Sequence, residues 1–379
     1  MKIAPFGVEQ WMNEWETGAV TNLAETCVKS LTVEELLELS GRGDAVLKEL
    51  LKLRMSYGDI PGSDELLERV AALYERQKRE NVIMMNGGSG ANFLSLYTLV
   101  EPGDEVVSVN PTYQQLYSIP ESFGAKVKLL HLKIEDGFLP DLGRLAELVT
   151  SKTRVICVNN PNNPTGSLME EPLLRGIADI ARQAGAWLYC DEVYRFMVHD
   201  PSKKIPSVAD IYEKGVVSCS FSKCFSLAGL RLGWIAGPKP FIEDVFSRRD
   251  YMTVSCGRID DLLGRTALAA GEKILSRNLA IVRECAEVLD RWIESEKRVS
   301  YVKPSAGTTA FPRYDYNIPS EEFCARLFRK DGTFLLPGKC FGEEFDRHLR
   351  VGYAYSPALL EEGLKKVSAF LRDLESEGL

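Results

Sequence analysis

The chain has few of the residues that build metal or disulfide sites. Its 379 residues include three histidines, which lie far apart, and nine scattered cysteines, no two of which form a Cys-x-x-Cys pair. This scarcity argues against a zinc site or a dithiol site. We expect free thiols in a reducing cytoplasm and assign the histidines no catalytic role. No metal site is predicted.

Long basic runs and long apolar runs are also missing. The formal net charge is −8, and no stretch of lysines and arginines is interleaved with aromatic residues, which argues against a nucleic-acid partner. No apolar segment approaches the roughly 20 residues that cross a bilayer. Residues 1–6 lack the apolar core of a secretion signal. We therefore expect a cytoplasmic protein with no membrane partner.

From about residue 80, short β-branched runs alternate with amphipathic stretches. This alternation predicts an α/β fold, with a mostly parallel sheet covered by helices on both faces. The predicted strands are 82–85, 105–109, 127–130, 154–158, 187–190, 216–220 and 232–236, and the predicted helices between them are 91–99, 114–123, 142–148 and 172–183.

The pattern changes after about residue 270. Residues 272–298 predict one long charged helix with an apolar stripe, followed by short strands and a final helix from Pro357 to about Glu377. We predict a large domain over residues 45–280. The remaining segments, 1–44 and 281–379, would form a smaller α+β lobe.

The segment 220–231 places a lysine among hydroxyls and an arginine inside an apolar run. Lys223 would lose hydration there, which favours the neutral, nucleophilic amine, and such an amine can anchor an aldehyde cofactor. Ser220 and Arg231 can hold a phosphate by hydrogen bonding and charge. The alternative is a lysine that extends its ammonium group from a strand end into water.

Two loops after predicted strands have the composition of a ligand site, because open parallel sheets bind ligands beyond the carboxyl ends of their strands. The loop 86–92 leads into a helix, so Gly88 and Ser89 are well placed for an anion, although a plain turn is an equal alternative. It matches neither the dinucleotide nor the triphosphate glycine motif. Tyr113 follows the next strand and either stacks on a planar ring or fills the core.

Two further strand ends carry an amide and a carboxylate. Asn163 lies in a turn of asparagines and prolines, which fixes its amide as a donor. Asp191 ends a buried strand and needs a cationic partner, such as a protonated ring nitrogen or a structural ion pair. Strand alternation turns Glu192 to the other face, so Asp191 is preferred.

Together these motifs resemble the class I/II aminotransferase family, fold-type I enzymes that use pyridoxal 5′-phosphate. The strongest matches are the turn 160–166, the run 191–194, and residues 220–223 with Arg231 eight positions on. The resemblance implies a fold-type I transferase whose large domain, 45–280, binds the cofactor. It also implies a homodimer with shared active sites.

The resemblance implies roles for the matching residues. The catalytic group would be Lys223, which forms a Schiff base with the cofactor, together with Asp191 and Tyr194. Arg350 would bind the substrate α-carboxylate, with Asn163 also at the substrate. The implied cofactor-binding residues are Gly88, Ser89, Tyr113, Asn163, Asp191, Tyr194, Ser220, Ser222, Lys223, Arg231 and Tyr57, the last reaching the neighbouring subunit's phosphate.

The resemblance implies an aminotransferase that moves the amino group of an L-amino acid to a 2-oxo acid. A lyase or cyclising synthase using the same cofactor is the alternative, because the loop 86–92 ends in Ala-Asn, as in the aminocyclopropane-carboxylate synthase branch and in some transaminases. A ligand-sensing domain of a transcription regulator is disfavoured, since the residues before Tyr57 lack basic character. The candidates for the wall around the substrate side chain are Trp11, Trp15, Tyr117 and Arg258.

Overall fold

A computed structural model describes residues 2–379. The strands are β1 (Thr21–Asn22), β2 (Val82–Met85), β3 (Glu105–Asn110), β4 (Lys126–His131), β5 (Thr153–Asn159), β6 (Trp187–Asp191), β7 (Gly215–Ser220), β8 (Gly233–Ala236), β9 (Val299–Ser300), β10 (Thr309–Ala310), β11 (Arg313–Tyr314), β12 (Thr333–Phe334), β13 (Leu336–Pro337) and β14 (Leu349–Gly352). The helices are α1 (Gly7–Trp15), α2 (Val33–Ser40), α3 (Gly43–Lys52), α4 (Asp64–Ala71), α5 (Gly87–Leu99), α6 (Gln115–Ser122), α7 (Leu142–Leu148), α8 (Glu171–Ala184), α9 (Val208–Ile211), α10 (Lys239–Arg249), α11 (Arg258–Ala269), α12 (Gly271–Ser295), α13 (Ser320–Asp331) and α14 (Pro357–Ser376).

The large sheet has seven strands in the order β2-β8-β7-β6-β5-β3-β4. β8 runs antiparallel to both of its neighbours, and the other pairs are parallel. Helices cover both faces, so the strands carry nearly continuous apolar runs. These runs predicted all seven strands to within one residue at each end. The predicted α/β fold with a mostly parallel sheet is confirmed.

The helices divide the apolar interior into two cores. On one face α5 packs against β7 and β8, with α6 and α10 beside it. The core on the other face continues without interruption into the strands and helices near the carboxyl terminus. The long predicted helix is α12, and it packs against α14. Within residues 2–379, no helix is both long enough and apolar enough to cross a membrane.

The amino-terminal segment joins the carboxyl-terminal strands. β1 pairs in parallel with β12, and the backbone N–H of Gly352 donates to Leu23 O at 2.7 Å. The approach is so close that a Cβ on Gly352 would lie 1.9 Å from the carbonyl oxygen of Glu25. These contacts join residues 21–25 to the carboxyl-terminal segment, whereas α2 and α3 pack against α11. The division at about residues 45 and 280 stays a prediction.

Parallel strands bring their carboxyl ends to one edge of the sheet, and the register aligns polar residues there. Asn159, at the end of β5, is directly paired with Asp191, at the end of β6. Ser220 ends the next strand, β7. This edge is where the polar side chains of the loops collect.

Candidate active site

A cavity of about 470 Å³ lies at the carboxyl ends of the parallel strands. Its walls come from the loops after β3, β5, β6 and β7, from the start of α5, and from the amino-terminal segment around α1. The lining residues are Phe6, Val8, Glu9, Met12, Glu25, Thr26, Gly88, Ser89, Asn92, Tyr113, Gln115, Asn159, Asn163, Asp191, Val193, Tyr194, Ser220, Ser222, Lys223, Ala228, Arg231 and Arg350.

The structure brings all but one of the predicted site residues to this cavity. The exception is Tyr57, whose side chain is 79% exposed and lies outside the cavity of its own chain. The four candidates for the side-chain wall are not part of the cavity lining. The helix α1 does form a wall, but Trp11 points away from it and donates its Nε1–H to Leu335 O at 3.0 Å.

Lys223 is half-buried, and two neighbours hold its ammonium group. Nζ donates to Thr26 Oγ1 at 2.6 Å and lies 3.4 Å from Cys27 Sγ. Burial lowers the pKa of Lys223, but the Cys27 thiol, Tyr194 and the Glu25 carboxylate outweigh it, so the pKa is raised above its usual value. The acidic groups near Lys223 therefore oppose the neutral amine that the sequence predicts.

Asp191 is a buried carboxylate held by two hydrogen bonds. Its Oδ2 accepts from Asn92 Nδ2 at 2.9 Å and its Oδ1 accepts from the backbone N–H of Val193 at 3.1 Å. Burial raises the pKa of Asp191 against the opposing effect of these bonds and of Lys223. Among residues 2–379 no basic side chain forms an ion pair with it. A cation inside the cavity is the partner that this carboxylate lacks.

Two hydroxyl groups fix the orientation of the Asn92 amide. Its Oδ1 accepts from Tyr189 Oη and from Ser218 Oγ, both at 2.6 Å, so Nδ2 must point to Asp191. Both hydroxyl groups are buried. Asn92 is a positioning residue that was not assigned to the site from the sequence. It lies in α5, which begins at Gly87, so the predicted loop over 86–92 is wrong.

Glu192 faces away from the cavity, as strand alternation predicts. Its carboxylate accepts from Ser207 Oγ at 3.0 and 2.9 Å and from the backbone N–H of Val208 at 2.9 Å. Burial raises the pKa of Glu192 to about 7. Glu192 thus belongs to the interior behind β6, and Asp191 belongs to the cavity.

One end of the cavity is a cradle for an anion. Gly87 has φ +69°, and a Cβ there would lie 2.8 Å from Arg231 Nη2. A Cβ on Gly88 would lie 3.2 Å from Val193 Cγ1 and would point towards Ser220. The backbone N–H groups at the start of α5 receive no side-chain cap from residue 86. Free helix N–H groups beside an arginine and serines suit a phosphate.

The other end holds Arg350, which is 3% exposed. Its Nη2 donates to Ala24 O at 3.0 Å, whereas within the described chain its buried Nε has no hydrogen-bond partner. Burial lowers the pKa of Arg350 despite nearby acidic groups. The buried Oδ1 of Asn163 likewise finds no partner among residues 2–379. Such groups indicate a polar ligand between them.

These features fit pyridoxal 5′-phosphate. The cradle of Gly88, Ser220 and Arg231 suits its phosphate, Asp191 suits its ring nitrogen, and Lys223 suits its aldehyde. Tyr113 lines the same cavity and donates its hydroxyl to Glu9 Oε1 at 3.1 Å.

Trp11 and Trp15 were the only amino-terminal residues predicted for the wall, and neither of them lines the cavity. Glu9 lies on α1, and Glu25 and Thr26 follow β1, which is only two residues long. A strand this short leaves no alternating pattern in the sequence. The acidic residues themselves were visible, but nothing local indicates that they lie against Lys223.

Comparisons with known proteins agree with this geometry. The family model for aminotransferase class I and II matches residues 20–367. A pyridoxal-phosphate-dependent aminotransferase from Streptococcus suis has a structure similar to this one, with a TM-score of 0.95 and 42% identity over 99% of both chains. The capreomycidine synthase of Streptomyces vinaceus is 29% identical over 364 residues, which is 95% of this chain and 92% of that protein. The aspartate aminotransferase of Pyrococcus horikoshii is 28% identical over 318 residues, covering 82% of this chain and 81% of its own. The chain therefore belongs to the class I and II aminotransferase family, and its cofactor is pyridoxal 5′-phosphate.

Proposed function

We propose that this enzyme transfers the amino group of an L-amino acid to a 2-oxo acid. The observation that carries the proposal is that a half-buried lysine lines the same cavity as a buried aspartate and a buried arginine. Lys223 and Arg350 line one cavity with Asp191. When bound, pyridoxal 5′-phosphate supplies an aldehyde for amine exchange and a ring that withdraws electrons from the substrate Cα.

The protein residues bind and orient the reactants. Arg350 would hold the substrate α-carboxylate through the nitrogen atoms that lack a partner in the structure. Asn163 and Tyr194 would hold the oxygen on the cofactor ring. Asp191 would keep the ring nitrogen protonated, and Asn92 keeps Asp191 turned towards it.

Lys223 would move the proton. A substrate amine would take the place of Lys223 on the cofactor aldehyde, so that the lysine amine would be free in the cavity. The free Lys223 would take the substrate Cα proton as a general base and return it to the adjacent cofactor carbon as a general acid. Between these two proton transfers the amine would hydrogen-bond to Thr26 Oγ1, which lies 2.6 Å from Nζ in the structure.

A cyclising or eliminating reaction is the second candidate, and the similarity to the capreomycidine synthase of Streptomyces vinaceus favours it. Such a reaction begins with the same removal of the Cα proton by Lys223. It then expels a substituent of the side chain and needs no 2-oxo acid. The two functions therefore differ in whether an amino acceptor is consumed.

A single-turnover experiment separates them. The cofactor-loaded enzyme is mixed with excess amino acid and no 2-oxo acid. Amino transfer predicts one equivalent of 2-oxo acid per subunit and then arrest, because the amino group stays on the enzyme. Continuous release of product, with or without ammonia, would contradict amino transfer and support elimination or cyclisation.

Replacement of the lysine tests the role of Lys223. Lys223→Ala should abolish turnover and the yellow colour of the bound cofactor while the chain still folds, because the packing around the side chain does not need its charge. Lys204→Ala, at an exposed surface position, is the matched control and should behave like the wild type. Turnover by Lys223→Ala would refute the assignment.

The proposed dimer would complete the site with Tyr57. Tyr57 is 79% exposed and Met55 is 78% exposed, and Tyr251, in a second loop, is 91% exposed. Arg258 joins the two loops by donating to Arg54 O at 3.0 Å. Exposed apolar residues clustered in this way are typical of a surface that another subunit covers. The patch supports a homodimer in which Tyr57 reaches the phosphate of the neighbouring subunit.

A further inference from the structure

The amino-terminal wall of the cavity carries two carboxylates, Glu9 and Glu25. Glu9 Oε1 accepts from Tyr113 Oη at 3.1 Å, and Glu25 Oε1 accepts from the backbone N–H of Cys27 at 2.6 Å. Neither carboxylate forms an ion pair with any basic residue of the described chain. Each therefore keeps acceptor capacity for a ligand.

Both carboxylates lie near the group proposed to bind the substrate. Burial lowers the pKa of Arg350, and Tyr194, Glu9 and Glu25 are among the acidic groups that oppose this effect. The unpartnered Nε of Arg350 independently indicates a ligand here, since it is buried and lacks a partner in the part of the chain that the structure describes. Glu9 and Glu25 thus line the same cavity as Arg350.

A charge count leaves these carboxylates without a cation once the reactants are in place. Arg231 would be matched by the cofactor phosphate, and Arg350 by the substrate α-carboxylate. Asp191 would be matched by the protonated ring nitrogen. Lys223 must be uncharged when it acts as the general base on the bound substrate. Glu9 and Glu25 then remain as negative charges without a counter-charge, and for the half-buried Glu25 in particular this favours a cation from the substrate side chain.

Glu25 depends on Lys223 most directly. Burial opposes its ionisation, but the charge of Lys223 and the hydrogen bonds from Cys27 outweigh burial and lower the pKa of Glu25. Loss of the lysine charge removes this stabilisation. A positive group on the side chain of the bound substrate would restore it.

The wall around Glu9 suits a long aliphatic stem. Phe6, Val8 and Met12 line the cavity beside it, and Val8 is almost fully buried. A side chain with several methylene groups and a terminal charge would pack its stem on these apolar residues and place its head at the carboxylates.

We infer that the cavity selects amino acids whose side chains end in a positive charge, such as lysine, ornithine or arginine, and disfavours aspartate and glutamate. The inference rests on the proposed amino transfer, because that proposal assigns Arg350 to the α-carboxylate. It adds the class of side chain that Glu9 and Glu25 recognise.

Binding measurements on the cofactor-loaded protein test the inference. Dissociation constants are measured by calorimetry with the Lys223→Ala variant, which should bind amino acids without turning them over. Lysine and arginine should bind at least about tenfold more tightly than norleucine, which has a similar stem and no charge. Glutamate should bind more weakly than norleucine. Equal affinities for lysine and norleucine would overturn the inference.

Charge-removing substitutions locate the preference. Glu25→Gln retains the acceptor for the N–H of Cys27, and Glu9→Gln retains the acceptor for Tyr113. Each should reduce the ratio of lysine to norleucine affinity several-fold, while norleucine affinity stays within about twofold. Glu14→Gln, on an exposed part of α1, is the control and should retain the full ratio. An equal loss of affinity for lysine and norleucine would show that the two glutamates stabilise the cavity wall and do not recognise the charge of the substrate.

The outcomes distinguish this inference from the proposed function. If neutral amino acids yield one equivalent of 2-oxo acid and basic ones show no preference, the inference fails and amino transfer stands. If basic amino acids bind preferentially but product formation continues without an acceptor, amino transfer fails and the charge preference stands.

Discussion

Replacement of Asp191 by asparagine has a calculable effect on both stability and cofactor binding. The substitution turns one acceptor oxygen into an NH₂ group. Asn92 cannot rotate to meet it, because its Oδ1 already accepts from Tyr189 and Ser218 at 2.6 Å. A donor therefore faces a donor in a buried site, either at Asn92 or at the N–H of Val193. We expect this mismatch to lower the free energy of unfolding of the apoprotein by about 1–3 kcal/mol.

The same substitution removes the negative charge that pairs with the ring nitrogen. A hydrogen bond to a charged group contributes about 1.5–3 kcal/mol. Asp191→Asn should therefore raise the dissociation constant of pyridoxal 5′-phosphate by roughly 10- to 150-fold. Titration of the apoprotein with the cofactor, followed by tryptophan fluorescence, measures the constant, and denaturant unfolding measures the stability.

Glu192→Gln is the matched control, because it changes the adjacent buried carboxylate on the other face of β6. The pKa of Glu192 is about 7, so below that pH its side chain is mostly uncharged. Glutamine, which is uncharged at every pH, resembles this protonated form. Its cofactor dissociation constant should stay within about twofold of the wild type. Equal weakening in both variants, or unchanged affinity in Asp191→Asn, would refute the pairing of Asp191 with the ring.

Three further predictions concern packing, pH and assembly. Gly352→Ala should prevent folding or lower the melting temperature sharply in a thermal scan, because its Cβ would lie 1.9 Å from Glu25 O; an unchanged melting temperature would show that the two segments separate easily. Burial lowers the pKa of His348 from 6.5 to about 4, because the buried site disfavours the charged imidazole. The stability that the neutral His348 contributes is therefore present above pH 6.5 and is lost as the pH falls through 4. His348→Phe should therefore reduce the difference in unfolding free energy between pH 7 and pH 4.5 by about 2–3 kcal/mol, measured with urea, and an unchanged difference would contradict the shift. Subunits carrying Tyr57→Ala, weak alone, should regain activity when mixed with inactive Lys223→Ala subunits, because a mixed dimer contains one intact site; no recovery despite subunit exchange would contradict the shared site.

The sheet could be predicted from the sequence because both of its faces are covered. Strands buried in this way consist of short apolar runs, which the chain interrupts with glycine, proline and asparagine at each end. The strand ends then indicated the cavity. Residues such as Asp191 and Asn163 could be assigned to it because parallel strands present their carboxyl ends at one edge.

The contacts of Lys223 could not be predicted because they come from a distant part of the chain. Thr26 and Cys27 lie almost two hundred positions before the lysine. Local burial alone predicts a neutral amine, and only the fold shows that acids accompany the burial. The role of Asn92 within the segment 86–92 could not be predicted for a similar reason, since the orientation of its amide depends on hydroxyl groups from β6 and β7.

The cavity has two walls of different origin. The residues proposed for the reaction lie at strand ends of the rigid central sheet, whereas Glu9, Met12 and Glu25 belong to the first 27 residues. Exchange of that short segment between relatives would change which substrate side chains the cavity accepts and leave the residues proposed for the reaction unchanged. Natural divergence could follow the same route, so new substrate preferences would be reached through a few substitutions near the start of the chain. A library confined to these positions is the economical way to redirect the enzyme.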